Sequence, residues 1–308
     1  MDSRARSHPL RGWLTPATLI AFAGGTLWRW LHLTRFHDPR RYVYSDMAAY
    51  LTAAKRMVEP GHVPAVTDVT HPPGASAIFG FFLRLDPSLQ SLVWFQFAVA
   101  AAVPLAVGAL AWVVFDRSTA RLAVILSSLY FPFVDYGGYF LSEVYMMLAV
   151  PVTLALYLRA CQLRSTLAVV ALALVAGAAL SGALALKLLA LPAILGCAAV
   201  HWLFFRGATR RVKTIALGAL LLGALPGAFL LSWRCTAANQ GRFCLVSNNS
   251  AAEFLLGHYG RVQGITWRDP HGPPIFYGNP SAYQRYRHLV EVPFAYTDGD
   301  SNLRAATE

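Results

Sequence analysis

Six long apolar runs constrain this chain more than any motif in it: residues 13–33, 88–115, 120–134, 141–158, 165–205 and 212–231. A hydrocarbon core about 30 Å thick is crossed by roughly 20 helical residues. The run at 165–205 is too long for one crossing and breaks most naturally at Ser181-Gly182. The runs therefore predict an all-α polytopic membrane protein with about seven transmembrane helices, and an odd number puts the two ends on opposite sides. Composition agrees. Only 13% of residues are charged and the mean hydropathy is +0.46, against roughly 25% charged in a soluble domain.

The basic residues set the orientation. With the N-terminus inside, Arg4, Arg6, Arg11, Arg117, Arg121, Arg159, Arg164, Arg206, Arg210, Arg211 and Lys213 all lie in short inner stretches beside a span. The outer turn at Gly137-Gly138 has no Lys or Arg nearby, and the one at Ser181-Gly182 has only Lys187. That asymmetry is the positive-inside pattern. The remaining basic residues fall mostly in two long outer segments, 34–87 and 232–308. A net charge of +11 raises nucleic acid as a partner. However, no Lys/Arg cluster interleaved with stacking aromatics stands out, so nucleic acid is not expected.

Two features test the ends. Arg-rich residues precede Ala21-Phe22-Ala23, as in a cleaved signal peptide. The apolar character nevertheless continues through Leu27-Trp28 and Trp30-Leu31, which favours an uncleaved anchor. At the other end the composition shifts at Ser232. The chain divides there into a membrane module, residues 1–232, and a small outer C-terminal segment, 233–308, that is partly strand. Cys235 and Cys244 fall in that segment, where a disulfide is plausible. Cys161 and Cys197 read as small apolar side chains.

The outer loop 34–87 is the first candidate site. From Met47, apolar residues recur at Tyr50, Leu51, Ala54, Met57 and Val58, the spacing of one helix face. Thr52, Lys55, Arg56 and Glu59 take the other face. This predicts an amphipathic helix lying on the membrane surface, with Ser45 as N-cap and Pro60-Gly61 as its stop. Asp46 either complements the helix dipole or does chemistry. His71-Pro72-Pro73-Gly74 is either punctuation before a second surface helix or a titratable group held in a rigid turn.

Two intramembrane charges complete the candidates. Glu143 is expected about one turn inside the fourth span, where an acid marks a functional site by default, although near the interface it can reach water. Lys187 is expected about one turn inside the sixth span, to snorkel or to bind an anionic lipid headgroup. His62, Asp68 and His71 are close in sequence but lack a recognisable ligand spacing, so no cofactor is expected and a divalent metal is a minor option.

In their order and common sidedness, these features resemble the GT-C superfamily of membrane glycosyltransferases, in the branch of protein O-mannosyltransferases and aminoarabinose transferases. The acid at Tyr44-Ser45-Asp46, the His71-Pro72-Pro73-Gly74 string, the Ser142-Glu143 pair and Lys187 ahead of Pro192 carry the likeness. So does the stretch from Trp233-Arg234 through Phe243-Cys244-Leu245-Val246-Ser247-Asn248-Asn249-Ser250, with Leu256-Gly257 after it. Ser45 stands where some members have a second acid. Members are also usually longer, so the chain is expected to be a fragment or a shortened member.

The resemblance implies transfer of one sugar from a polyprenyl-phosphate carrier to a lipid, glycan or protein hydroxyl at the outer face of a bacterial inner membrane. Asp46 is then the catalytic base. His71, Glu143, Lys187, Tyr50, Lys55 and Arg56 bind substrate, with Lys187 on the phosphate. The rival expectations are a transporter or lipid-binding protein without catalysis, and an inactive truncated relative. A transporter predicts charges in mid-span and pseudo-symmetric halves. Here the intramembrane charges cluster at the outer ends.

Overall fold

The computed structural model describes residues 15–41, 43, 45–61, 71–204, 208–247, 265–266 and 275–276. Ten α-helices appear among them: α1 Pro16–Leu31, α2 Ser45–Val58, α3 Pro73–Leu85, α4 Gln90–Val114, α5 Arg117–Leu129, α6 Phe131–Asp135, α7 Ser142–Cys161, α8 Thr166–Leu186, α9 Ala190–Phe204 and α10 Arg210–Ala238. A π-helical turn, His32–Phe36, extends α1, and a 3-10 turn, Tyr136–Gly138, follows α6.

Four of these, α4, α7, α8 and α10, are long and apolar enough to cross a membrane. At a rise of 1.5 Å per residue they measure from ~30 Å to ~44 Å. Among the described residues, four helices meet that length and composition, against seven expected crossings. Local chemistry accounts for part of the shortfall. The run at 120–134 divides at Tyr130, which is extended at φ −70° and ψ 110° just before α6, with Pro132 in the first turn of that helix. A proline there has no N–H with which to continue the hydrogen-bond ladder of α5.

The break in the longest run also falls elsewhere than expected. α8 passes straight through Ser181-Gly182 and ends at Leu186, with Lys187 as its extended C-cap. Lys187 is therefore a residue of the hinge before α9, not of a span interior. Ser181 faces α10 instead: its hydroxyl donates to Ala224 O at 3.0 Å, and Gly227 lies against its side chain. Small residues there let two backbones approach, as is usual between helices in lipid. At Gly177, which abuts Leu220 O, and at Gly223, which abuts Leu174 O, no Cβ fits.

Contact offsets give the directions of the helices. Tyr145 reaches Gln96 and Gln162 reaches Val113. One constant offset at both ends means that α4 and α7 run parallel. Likewise Leu174 meets Gly223 and Ser181 meets Gly227, so α8 and α10 are parallel. α5 must then return the chain between α4 and α7, and α9 between α8 and α10. All the turns that begin or end near Arg117, Arg164 and Arg210 consequently share one end of the bundle. His71, Glu143 and Lys187 share the other.

The core has two parts. Tyr157, Ala173, Leu180, Ile194 and Leu220 knit α7 to α10. Met47, Tyr50, Phe79, Leu92, Phe140 and Val144 join α2 and α3 to α4 and α7. The apolar face of α2 is thus covered by protein, with Met47 at 1% and Ala54 at 0% exposure. The expected stripe thus packs on protein, because α3 supplies a matching apolar face. α10 runs on past Ser232 to Ala238, so the compositional boundary lies inside a helix. Beyond it a Cys235–Cys244 disulfide, with Cα atoms 5.4 Å apart, returns the chain to α10. Ser232 Oγ donates to Cys244 O at 2.9 Å on the same fold-back. A two-residue antiparallel ladder pairs Ile265–Thr266 with Ile275–Phe276.

Candidate functional site

At the end of the bundle opposite the basic turns, four elements converge: α2, the start of α3, the start of α7 and the end of α8. A hydrogen-bonded string runs through them. Tyr50 and Ser142 hydroxyls are 3.2 Å apart, and Ser142 Oγ donates to Glu143 Oε2 at 3.1 Å. A serine hydroxyl carries one proton, so with that proton on Glu143 the Tyr50 hydroxyl is the donor to Ser142. Glu143 Oε1 accepts from Lys187 Nζ in a direct ion pair.

Each charge stands where a helix terminus favours it. Glu143 lies in the first turn of α7 and Lys187 just past the last turn of α8. The dipole favours anions at the first position and cations at the second. Both side chains remain partly accessible, at 36% for Lys187 and 27% for Glu143. Glu143 therefore sits at the mouth of its helix rather than a full turn within it, which lowers its desolvation cost.

His71 and its two prolines form the next wall. The His71 ring lies 5.2 Å from that of Tyr50, centroid to centroid. Pro72 caps α3 and Pro73 opens it. Gly74 then meets the end of α8: a Cβ built there would lie 2.6 Å from Ala185 O. This close approach explains why a glycine follows the prolines, and it seats the turn one residue before Leu186 and two before Lys187.

Asp46 opens α2 with its side chain exposed. It precedes Tyr50 by four residues, hence on the same helix face with Cβ atoms roughly 5–6 Å apart. An accessible carboxylate thus stands one turn from the Tyr50–Ser142–Glu143–Lys187 string. Lys55 and Arg56 are not grouped with it in the same way. They occupy the last turn of α2, ~14 Å along the axis from Asp46, and Lys55 takes the exposed face.

One determinant escapes a motif reading. Gln96, fully buried in α4, donates to Gly137 O at 2.6 Å and to Tyr139 O at 2.8 Å. Its carbonyl accepts from Tyr145 OH at 3.2 Å. These bonds hold the turn that leads into Ser142 and Glu143. A lone amide between Phe95 and Phe97, inside an apolar run, is the sequence signal that could have found it. Next to that turn His32 Nε2 faces Asp135 Oδ1 at 3.4 Å, and the His32 and His37 rings stack at 5.8 Å.

Among the described residues, no three His, Cys, Asp or Glu side chains are grouped to hold a metal ion. His62 and Asp68 lie outside the described residues. The assembled groups offer a cation for an anionic ligand, an accessible carboxylate for proton transfer and a polar string that fixes their spacing. No known family, no curated protein and no solved structure matches this chain.

Proposed function

We propose that this protein is an integral-membrane glycosyltransferase. It moves one sugar from a polyprenyl-phosphate carrier to a hydroxyl of a lipid, glycan or protein at the outer face of a bacterial inner membrane. Asp46 takes the proton of the acceptor hydroxyl, a role that requires hydrogen-bond reach to that proton. Lys187 binds the carrier phosphate, and His71, Tyr50 and Glu143 position the sugar and the acceptor. Lys55 and Arg56 contribute attraction for the anionic carrier from the far end of α2. The shorter helices α1, α5 and α9 complete seven crossings, with the N-terminus cytoplasmic and the segment after α10 outside.

One observation carries the reading: residues from four separate stretches of sequence, each part of a glycosyltransferase-like motif, meet at one end of an apolar bundle. The opposite end holds the basic turns, as a cytoplasmic face does. Placement of Glu143 and Lys187 at helix ends suits a water-borne acceptor meeting a membrane-borne donor. A transporter instead needs its charges near the midplane.

The test is reconstitution. Purified protein in liposomes containing polyprenyl-phosphate-linked sugars should release polyprenyl phosphate in an acceptor-dependent way. In parallel, mass spectrometry of lipids, polysaccharides and proteins from cells with and without the gene should reveal a missing hexosyl or pentosyl mass. Carrier binding without turnover, and no missing mass, would assign the protein to the non-catalytic lipid binders.

A further inference from the structure

Lys187, the cation assigned above to the carrier phosphate, is already in use. Glu143 holds it in a direct ion pair, so an anionic ligand competes with a carboxylate for the ammonium group. We infer that Glu143 is an internal stand-in for the ligand's phosphate group, and that it surrenders Lys187 when a phosphate monoester binds. This inference rests on the reading that Lys187 is the phosphate-binding cation.

The geometry suits an exchange. Both side chains are partly exposed, so the pair can open without unfolding its surroundings. Lys187 is the extended C-cap of α8, and its flexible stem lets the ammonium group reorient. After release, Glu143 keeps two stabilising influences: the Ser142 hydroxyl on Oε2 and the N-terminus of α7. Ser142 in turn remains tied to Tyr50. A phosphate monoester, such as the polyprenyl phosphate released on transfer, carries roughly −1.5 to −2 charges at neutral pH against one for the carboxylate, so it outcompetes Glu143 for the same donor, whereas the sugar-linked carrier, a diester, meets it on equal charge. The exchange keeps Lys187 paired in the empty protein and delivers a freed carboxylate beside the bound headgroup.

The experiment measures binding of dodecyl phosphate, and separately of inorganic phosphate, to the full-length protein in neutral detergent micelles. Glu143→Gln should bind dodecyl phosphate about fivefold more tightly than wild type, the weight of one partly exposed ion pair. Lys187→Met should bind it tenfold or more weakly, and adding Glu143→Gln to Lys187→Met should restore nothing. Glu59→Gln, which removes the same charge from an exposed position after α2, should match wild type. Glu143→Ala should tighten binding as Glu143→Gln does, and thermal unfolding of each variant checks its fold.

Tighter binding of both probes assigns the exchange to the phosphate group itself, whereas tightening confined to dodecyl phosphate assigns it to a lipid headgroup. Two failures are distinct. If Lys187→Met weakens binding while Glu143→Gln and Glu143→Ala leave it unchanged or weaker, Glu143 is a strut and the exchange is wrong. If Lys187→Met binds like wild type, the phosphate role of Lys187 falls, and the proposed function loses its donor site.

Discussion

Gly74→Ala tests the seating of the site with a single methyl group. The added Cβ would lie 2.6 Å from Ala185 O and 2.7 Å from Ala185 C. To reach ordinary contact at 3.4 Å, the start of α3 must withdraw from the end of α8 by about 0.8 Å. Neither neighbour is a flexible side chain, so backbone has to move. Overpacking of this kind costs ~1–3 kcal/mol, whereas glycine to alanine in an unobstructed helix gains ~0.5–1 kcal/mol.

Gly182→Ala isolates the steric part, because nothing lies within 4 Å of the added Cβ and the position is inside α8. Circular dichroism melts in detergent should show Gly182→Ala at or above wild type and Gly74→Ala several degrees below it. The same withdrawal carries the His71 turn away from the end of α8, and a misplacement near 1 Å can cost about 10²-fold in turnover. A Gly74→Ala protein that melts with Gly182→Ala and turns over normally would refute the claim that this contact seats the site.

Other expectations follow from the same geometry. Asp46→Asn should express and bind carrier normally yet lose about 10²–10⁴-fold in transfer rate; wild-type transfer by this variant with a dead Glu143→Gln would name the other carboxylate as base. In intact cells a membrane-impermeant maleimide should label an introduced Thr52→Cys on exposed α2 but not Ser118→Cys at the start of α5, and the reverse pattern would invert the orientation. Asp86, before α4, is held down to about 2 by the Ser88 hydroxyl and by the Ser91 and Ser88 amides. Its folded value is depressed, so its contribution is present above the ordinary value near 3.8 and lost as pH falls through about 2. The melting difference between wild type and Asp86→Ala should therefore persist at pH 5 and vanish at pH 2, and a difference independent of pH would exclude the carboxylate as its source.

The ion pair at the centre of the site illustrates why partly exposed charges are placed with care in a membrane protein. In mid-bilayer a lone Lys or Asp costs roughly 2.5–3.5 kcal/mol on insertion scales. At the helix ends Glu143 and Lys187 retain water and gain from two dipoles. Arg29 shows the buried counterpart. It is 1% exposed, and its guanidinium reaches Gly25 O, Ser128 O and Ser127 O at 3.0, 2.9 and 3.1 Å. Its two terminal nitrogens thus cap free carbonyls at the end of α5, where that helix stops.

Apolar run length and the placement of arginines were enough to read a helical membrane protein, because the cost of bilayer crossing acts on each segment separately. The motif residues Asp46, His71, Glu143 and Lys187 were legible for the same reason, since a charge or proline in an apolar setting stands out locally. What a run contacts is a different matter. Ser181-Gly182 has the composition of a turn, yet α10 meets it as a packing surface, and the break moved to Lys187. The amphipathic stripe of α2 specifies only that one face is buried, and α3 rather than lipid covers it. Nothing in the spacing of Tyr50, Ser142, Glu143 and Lys187 ties them together; that string exists because α7 begins and α8 ends at the site end of the bundle. Periodicity encodes which face of a helix avoids water, whereas the partner on that face is chosen by the whole set of helices competing for it, and only the tertiary structure records the outcome.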